Sequence, residues 1–566
     1  MRRVMSQEEG SALIVVMAVT GILSLLVTVS FAVARDSLAV ADEEQNVHAA
    51  LAAAEAGLDD YLFRLNNRDE YWQYTSANPP AAPDENRAFT QFVTIAGGDT
   101  DTNLVEGIGM YTYDVDNDEL ESTGVLRVRV TGCAPGPCGD PDSGPSDAQT
   151  WRTIQAEVTQ ESFLDYLYFT NYETLAPLAY VSYSSNTSMR EQLIQWATNN
   201  CARRRWQRER PTTGRPDDTR YGCTEIYWGG QDVVNGPFHT NDRFRLNGNA
   251  TWEGTASNSD PRTPAYDTTN GARPNFNGGS LRYREPLEMP PTNTVIKVEA
   301  DHLTNASAEG CLFTGPTEIR MNANGTLTVE SPYTKDSGPG CGTWTNGVDP
   351  AQTIPIPDNG VIFVQEIPTS TSNPNYSATC FAGNGNGLGY PRSNDVPTLP
   401  YNCRAGDAFV EGTLDGRLTI ASANNIIITW HIDYEDEADD MLGLVAQDFV
   451  QVYHPVNSSG TNLNALPNHN ATFTNARIDA AILSVTNSFF VQSWGRGNAL
   501  GELSVNGAIA QVYRGPVGSG SGYSVSTGYN KDYNYDNRLS FTNPPHFIDP
   551  IAASWRVSRF AEELNG

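Results

Sequence analysis

The sequence predicts a mainly β protein carried on one long N-terminal α-helix. Three observations predict it: 49 Gly and 34 Pro beside only 18% charged residues, an apolar run that passes unbroken into helix-forming sequence, and many short apolar segments separated by Gly and Asn. Gly and Pro interrupt helices and supply turn geometry, so a chain rich in both is built mostly of strands and turns. At 566 residues the chain is long enough for several domains, each burying its own core.

The helix comes first in the chain. Residues 11–34 are 24 consecutive uncharged and mostly apolar positions, enough at about 1.5 Å per residue to cross the roughly 30 Å hydrocarbon core of a bilayer. Arg2 and Arg3 precede the run, which keeps the short N terminus in the cytoplasm and sends the remainder outward. A cleaved signal peptide would have a shorter apolar core ending in a small-residue site, and Ala32-Val33-Ala34 imitates one. The residues just beyond argue against removal: positions 35–65 contain no Pro, their one Gly is Gly57, and helix formers dominate. Val40, Val47, Leu51, Ala54, Leu58, Tyr61 and Leu65 are spaced by sevens, fours and threes, which places them on one helical face. The expected element is a rod over residues 11–66, on the order of 80 Å long, with a lipid-embedded half and an amphipathic half.

A small β domain is expected over residues 67–165. After a loop holding Pro79, Pro80 and Pro83, residues 111–115, 125–130 and 152–158 alternate with period two. Asp114, Asp116 and Asp118 imitate the first ligands of a calcium loop, but the loop Gly is missing and Val125 stands where the bidentate Glu belongs, so a solvated hairpin turn is the reading. Residues 166–229 read as a connector. It holds the one basic patch of an acidic chain, Arg203, Arg204, Arg205, Arg208 and Arg210 between Cys201 and Cys223: candidate anion-binding residues, or partners for the protein's own carboxylates. Residues 230–566 repeat short strands such as 408–412, 418–422, 425–428, 442–446 and 503–509 between Gly and Asn turns. That spacing suits a right-handed parallel β-solenoid. A two-sheet β-sandwich is the alternative.

Charge and cysteines narrow the setting. A formal net charge of −31 disfavours nucleic acid as a partner, because affinity for phosphate backbones comes from Lys and Arg. Eight cysteines fall in four near pairs, Cys133 with Cys138, Cys201 with Cys223, Cys311 with Cys341 and Cys380 with Cys403. Local disulfides in an oxidising compartment are expected, although the count alone leaves connectivity open. No CxxC or partnered His spacing points to a metal.

An active site is not expected. HExxH, GxSxG, Walker and dinucleotide signatures are all missing, so the reading is a non-enzyme without cofactor or metal. The acidic run at 433–440 reads as a solvated loop, and His239 with Asp242 as a polar cap at the start of the solenoid.

The stretch Glu9-Gly10-Ser11-Ala12-Leu13-Ile14-Val15-Val16, followed after the apolar run by Ala52-Ala53-Ala54-Glu55-Ala56-Gly57-Leu58, resembles the N terminus of PilX-type pilus assembly proteins, a branch of the type IV minor pilins. The phrases at 234–242, 507–515 and 528–536 resemble recurrent features of the large members with β-helical ectodomains. The resemblance implies a prepilin peptidase cut between Gly10 and Ser11, with residues 1–10 as the leader. Val15 stands at the fifth position after that cut, where major pilins carry Glu; this fits a minor or initiating subunit. By the same resemblance the protein is anchored in the cell membrane, faces the cell surface, and partners other pilin subunits and the assembly machinery. A membrane-anchored adhesin or glycan-binding β-helix protein is the alternative function, and a polysaccharide-degrading enzyme a more distant one.

Overall fold

The computed structural model describes residues 9–68, 70–81, 85–94, 109–118, 120, 124–146, 149–181, 187–206, 222–269, 271–344, 351–379, 386–465, 467–521, 524–550 and 555–563. Two compact units are present. The first comprises Met1–Asp118, Leu126–Val158 and Trp555–Gly566, and the second Glu119–Val125 and Thr159–Ser554.

In the first unit a single helix, α1, runs over Glu9–Asn67. Its second half lies on a five-stranded sheet whose order is Val93–Thr94, Met110–Asp116, Val125–Ala134, Thr150–Gln160 and Trp555–Glu563. The first three strands pair antiparallel, with Tyr113 opposite Val130 and Val115 opposite Val128. The three strands expected from period-two alternation all form here. The fifth is a correction to the expected boundaries: Trp555–Glu563 belongs to this sheet, not to a 230–566 ectodomain. The Ser558 hydroxyl donates to the Glu157 carbonyl 401 positions earlier, and partners so distant leave no local trace in the sequence.

The second unit is a large, mostly parallel β region. One row of inward side chains passes in register through nine strands, Cys311, Ile362, Ile420, Leu444, Ile482, Ile509, Tyr168, Phe238 and Ala256. All nine are buried. A second row, Ile319, Val410, Ile428, Val452 and Val491, is equally buried. Parallel strands buried on both faces, as Val361–Gln365 and Met441–Ala446 are, favour near-continuous apolar runs, which is the composition seen there. Thr317–Asn322, Thr326–Glu330 and Gln352–Pro355 form an antiparallel excursion on this region. The strand Tyr168–Tyr172 supplies Tyr168 to the first row, pairing with Ala499–Tyr513 and Phe238–Thr240. The expected connector at 166–229 therefore contains a core strand. A five-residue strand whose Tyr168 hydroxyl accepts from Gln511, 343 positions away, gives no local signal of its place.

Disulfides join Cys133 to Cys138, Cys201 to Cys223 and Cys311 to Cys341. Cys403 is also disulfide-bonded, and Cys380 lies outside the described residues.

Candidate functional site: the N-terminal rod

Helix α1 has two halves with opposite surroundings. From Leu13 to Val33 every large apolar side chain is exposed: Leu13 is 65% accessible, Ile22 61% and Phe31 69%. This is the one helix among the described residues long and apolar enough to cross a membrane. Thr20 and Thr28, and Ser37 just beyond, turn their hydroxyls back onto carbonyls one turn earlier and so satisfy them within the helix. Gly10 and Ser11 fall within α1, but the Ser11 side chain lies outside the described residues, as do residues 1–8.

The second half is locked down by small residues. Ala50, Ala53, Ala54, Leu58, Tyr61 and Leu65 are buried, recurring at threes and fours as a helix face requires. The contact is close because glycine faces it. A Cβ on Gly132, in the strand Val125–Ala134, would run into the Ala50 carbonyl oxygen and stand 2.5 Å from the Ala54 nitrogen. A Cβ on Gly57 would stand 2.7 Å from the ring of Tyr111 and from Val130. Helix backbone and sheet backbone therefore touch directly at this point.

Below that seam the interface widens into aromatic rings. Tyr61 packs against Tyr71, Phe89 and Tyr113 at centroid distances of 5.6, 6.3 and 5.3 Å. The Asn86 amide donates to the hydroxyls of Tyr71 and Tyr113. Burial raises the Tyr61 and Tyr113 hydroxyls above the usual tyrosine range, so both stay neutral. At the end of the helix Asn66 grips the last strand from both sides: its amide donates to the Trp555 carbonyl at 3.0 Å, and its carbonyl accepts from the Trp555 N–H at 2.7 Å.

Sequence periodicity finds this face only in part. Ala54, Leu58, Tyr61 and Leu65 are buried as expected, but Val40 is 56% exposed and Leu51 only half-buried. The true face is rotated toward Ala50, Ala53 and Gly57. Apolarity ranks Val and Leu above Ala and Gly, whereas the closest packing selects the smallest residues. The Ala-rich run is the signal that marks it.

The other singled-out residues with described partners are engaged by the protein's own groups. Arg204 pairs with Glu288 and Asn171, and Arg205 with Glu225 and Asp267. Arg203 also has a partner; Arg208 and Arg210 lie outside the described residues. Asp242 accepts from three backbone N–H groups, those of Glu173, Arg205 and Arg243, at 3.0, 2.6 and 2.7 Å. His239 is fully buried between Ser257 and Asn241, and burial pulls its imidazole down to about 4, so it is neutral. In the acidic run, Asp433 and Glu437 pair with Arg477, and Asp440 accepts from the N–H groups of Gly416 and Asp436. Asp114 accepts from Ser76 and Asp116 from the Asp118 N–H. Among the described residues no group of three or more His, Cys, Asp or Glu is placed to hold a metal ion.

No family model matches the chain, and no curated protein matches it. Among solved structures it is similar to the competence-associated pilin ComZ from Thermus thermophilus, with 12% identity over 91% of this chain and 97% of that chain, at a TM-score of 0.27. At that identity and score the likeness carries no argument about this chain.

Proposed function

We propose that this chain is a minor pilin-like structural subunit of a type IV pilus or related pseudopilus, anchored by α1 and displaying its parallel β region outside the membrane for assembly initiation or adhesion. One observation carries the reading: a single unbroken helix is divided into an exposed apolar half and a half locked onto a β-sheet. At the centre of a bilayer each Leu, Ile, Val or Phe contributes about 0.3–0.6 kcal/mol in favour of insertion, so the exposed half is stable in lipid. The same rod surface suits lateral packing among like helices, where van der Waals contact replaces lipid contact. The membrane, neighbouring pilin subunits, the assembly machinery and a prepilin peptidase acting between Gly10 and Ser11 are the partners.

The nine-strand inward row supports the finer reading of the second unit as a right-handed parallel β-solenoid. So large an ectodomain would crowd a tightly packed shaft, which favours sparse or tip incorporation. The chain is read as structural rather than catalytic: the buried histidine and the paired arginines are committed to internal contacts.

Mass-spectrometric sequencing of the mature amino terminus is the test. Ser11 should be the first residue, and Gly10→Leu should leave the leader attached. A mature protein beginning beyond residue 34 would have lost the apolar half and with it the assembly role. Normal maturation of Gly10→Leu would make α1 a plain tether and leave the anchored-adhesin alternative standing.

A further inference from the structure

We propose that the solvent flank of the parallel β region carries a binding groove for a neutral, hydroxyl-rich saccharide, centred on Asn506 and Asp532. The inference concerns the second unit alone and goes beyond the anchoring and assembly role argued above.

The groove is a cavity of about 640 Å³ whose lining includes Arg477, Asp479, Ser504, Asn506, Asp532 and Arg538, within the size range of ordinary ligand sites. Strand register explains why these side chains converge. Ile478, Val505 and Tyr533 pair across three successive strands and point inward as buried core. Their neighbours point to the opposite side of the strands and form two polar rows, Arg477–Ser504–Asp532 and Asp479–Asn506–Asn534, of which Asp479 is buried and the rest are partly exposed. Parallel strands are about 4.8 Å apart, so each row places one polar side chain, of a different type on each strand, at a step close to the length of one pyranose ring. A saccharide chain laid across the strands would meet a hydrogen-bonding group at each step.

The side chains are held in position before any ligand arrives. The Asn506 amide donates to Asp479 at 2.7 Å, the Ser504 hydroxyl to Asp532 at 2.8 Å, and the Asn534 amide to Asp532 at 3.1 Å. Ordering cost on binding is correspondingly small.

Charge selects among ligands. Glu437, Asp479, Asp532 and Asp536 outnumber Arg477 and Arg538 in the lining. Both guanidiniums are already engaged, Arg477 by Asp433, Glu437 and Asp479, and Arg538 by Asp536 and the face of Tyr434. A polyanion would meet net negative charge, with both cations of the groove committed. The walls are too polar for an apolar ligand. Hydroxyl groups, which both donate and accept, match carboxylates and amides together.

The experiment is calorimetry on the full chain in detergent, with cellohexaose and hexa-N-acetylchitohexaose as neutral probes and hexagalacturonate as the anionic one. At least one neutral hexasaccharide should bind saturably. Asn506→Leu should weaken that binding by about tenfold or more, the effect of losing one or two hydrogen bonds in a desolvated site. Gln231→Leu, in the separate cavity beside Asp232 and Lys531, should leave it unchanged. The isosteric Asp532→Asn keeps the shape while removing a charge, so it should shift preference toward hexagalacturonate whether or not Asn506→Leu folds well. Silence from both neutral probes, equal binding by hexagalacturonate, or full affinity in Asn506→Leu would each overturn the proposal. Saccharide binding and processing at Ser11 are read separately, so either can fail without the other.

Discussion

In the first unit the helix–sheet seam is closed by nearness: Ala50 and Ala54 sit on Gly132, Ala53 on Gly109, and the rings of Tyr61, Tyr71, Phe89 and Tyr113 fill what remains. The second unit takes charge inside instead. Arg514 and Glu173 are both fully buried and paired at 3.0 Å, with the guanidinium 3.7 Å over the ring of Trp228. Glu318 and Glu411 share Arg320 at 2.9 Å each, and His469 adds a further contact to Glu411 at 2.9 Å. Each unit is vulnerable in its own way as a result. A seam made of backbone contact fails when volume is added, while an interior holding ionisable groups responds to pH.

Adding volume to the seam should do the most damage. Gly132→Val places a side chain where the Ala50 carbonyl oxygen and the Ala54 nitrogen already are, and backbone atoms of a packed helix cannot swing aside as a flexible side chain can. The helix has to lift off the sheet. A loss of about 3 kcal/mol or more is expected in the first unit, seen as faster hydrogen exchange in peptides covering 46–65, while peptides from the parallel β region keep their protection. Equal loss in both units would erase the distinction between them.

A smaller effect should appear on the other side of the comparison. Burial, reinforced by neighbouring Glu411, pushes the Glu318 carboxyl up to about 7, and burial pushes Asp407 up to about 6. Free carboxyls titrate near about 4. The folded second unit therefore holds protons that the unfolded chain has released, and the stability these groups contribute is complete below the ordinary value and lost as pH rises through the folded one. His239 works in the opposite sense, since its folded value of about 4 lies below the ordinary imidazole value; its contribution is present above about 6.5 and lost on acidification. Several groups of this unit titrate together near neutrality, so the Glu318 contribution is read by difference. Between about pH 6.5 and pH 8 the second unit should lose roughly 1 kcal/mol more than its Glu318→Gln variant, as urea titrations of the two would show. A slope unchanged by the substitution would assign the pH response to other groups.

What a sequence can disclose tracks the range of the interactions involved. The three strands near residues 111, 125 and 152 are readable because their alternation is local and their partners are consecutive. The apolar half of α1 is readable from composition alone. Trp555–Glu563 reads as part of the ectodomain because its true place depends on Asn66, 489 residues earlier. Gly132 carries no warning: a glycine in a strand reads as a weakness, and only the facing Ala50 backbone makes it a requirement. For the arginine run, pairing with the protein's own carboxylates is one of the two readings the sequence offers, but it does not say which ones; Glu288, Glu225 and Asp267 are the partners of Arg204 and Arg205.

The mildest substitution tests whether the two halves of α1 really differ. Gly21 and Gly57 lie in the same helix, but a Cβ on Gly21 meets nothing within 4 Å, while one on Gly57 meets Tyr111 and Val130 at 2.7 Å. Leu is a better helix former than Gly by up to about 1 kcal/mol, so Gly21→Leu should not break the rod. With no neighbour to displace, it should change the stability of the first unit in detergent by less than about 0.5 kcal/mol. Gly57→Leu, the same chemical change about ten turns along, should instead disturb exchange across 46–65 as Gly132→Val does. A shift of more than about 1 kcal/mol from Gly21→Leu would mean that the apolar half already lies against protein, and the half free to meet lipid or neighbouring helices would have to be sought elsewhere.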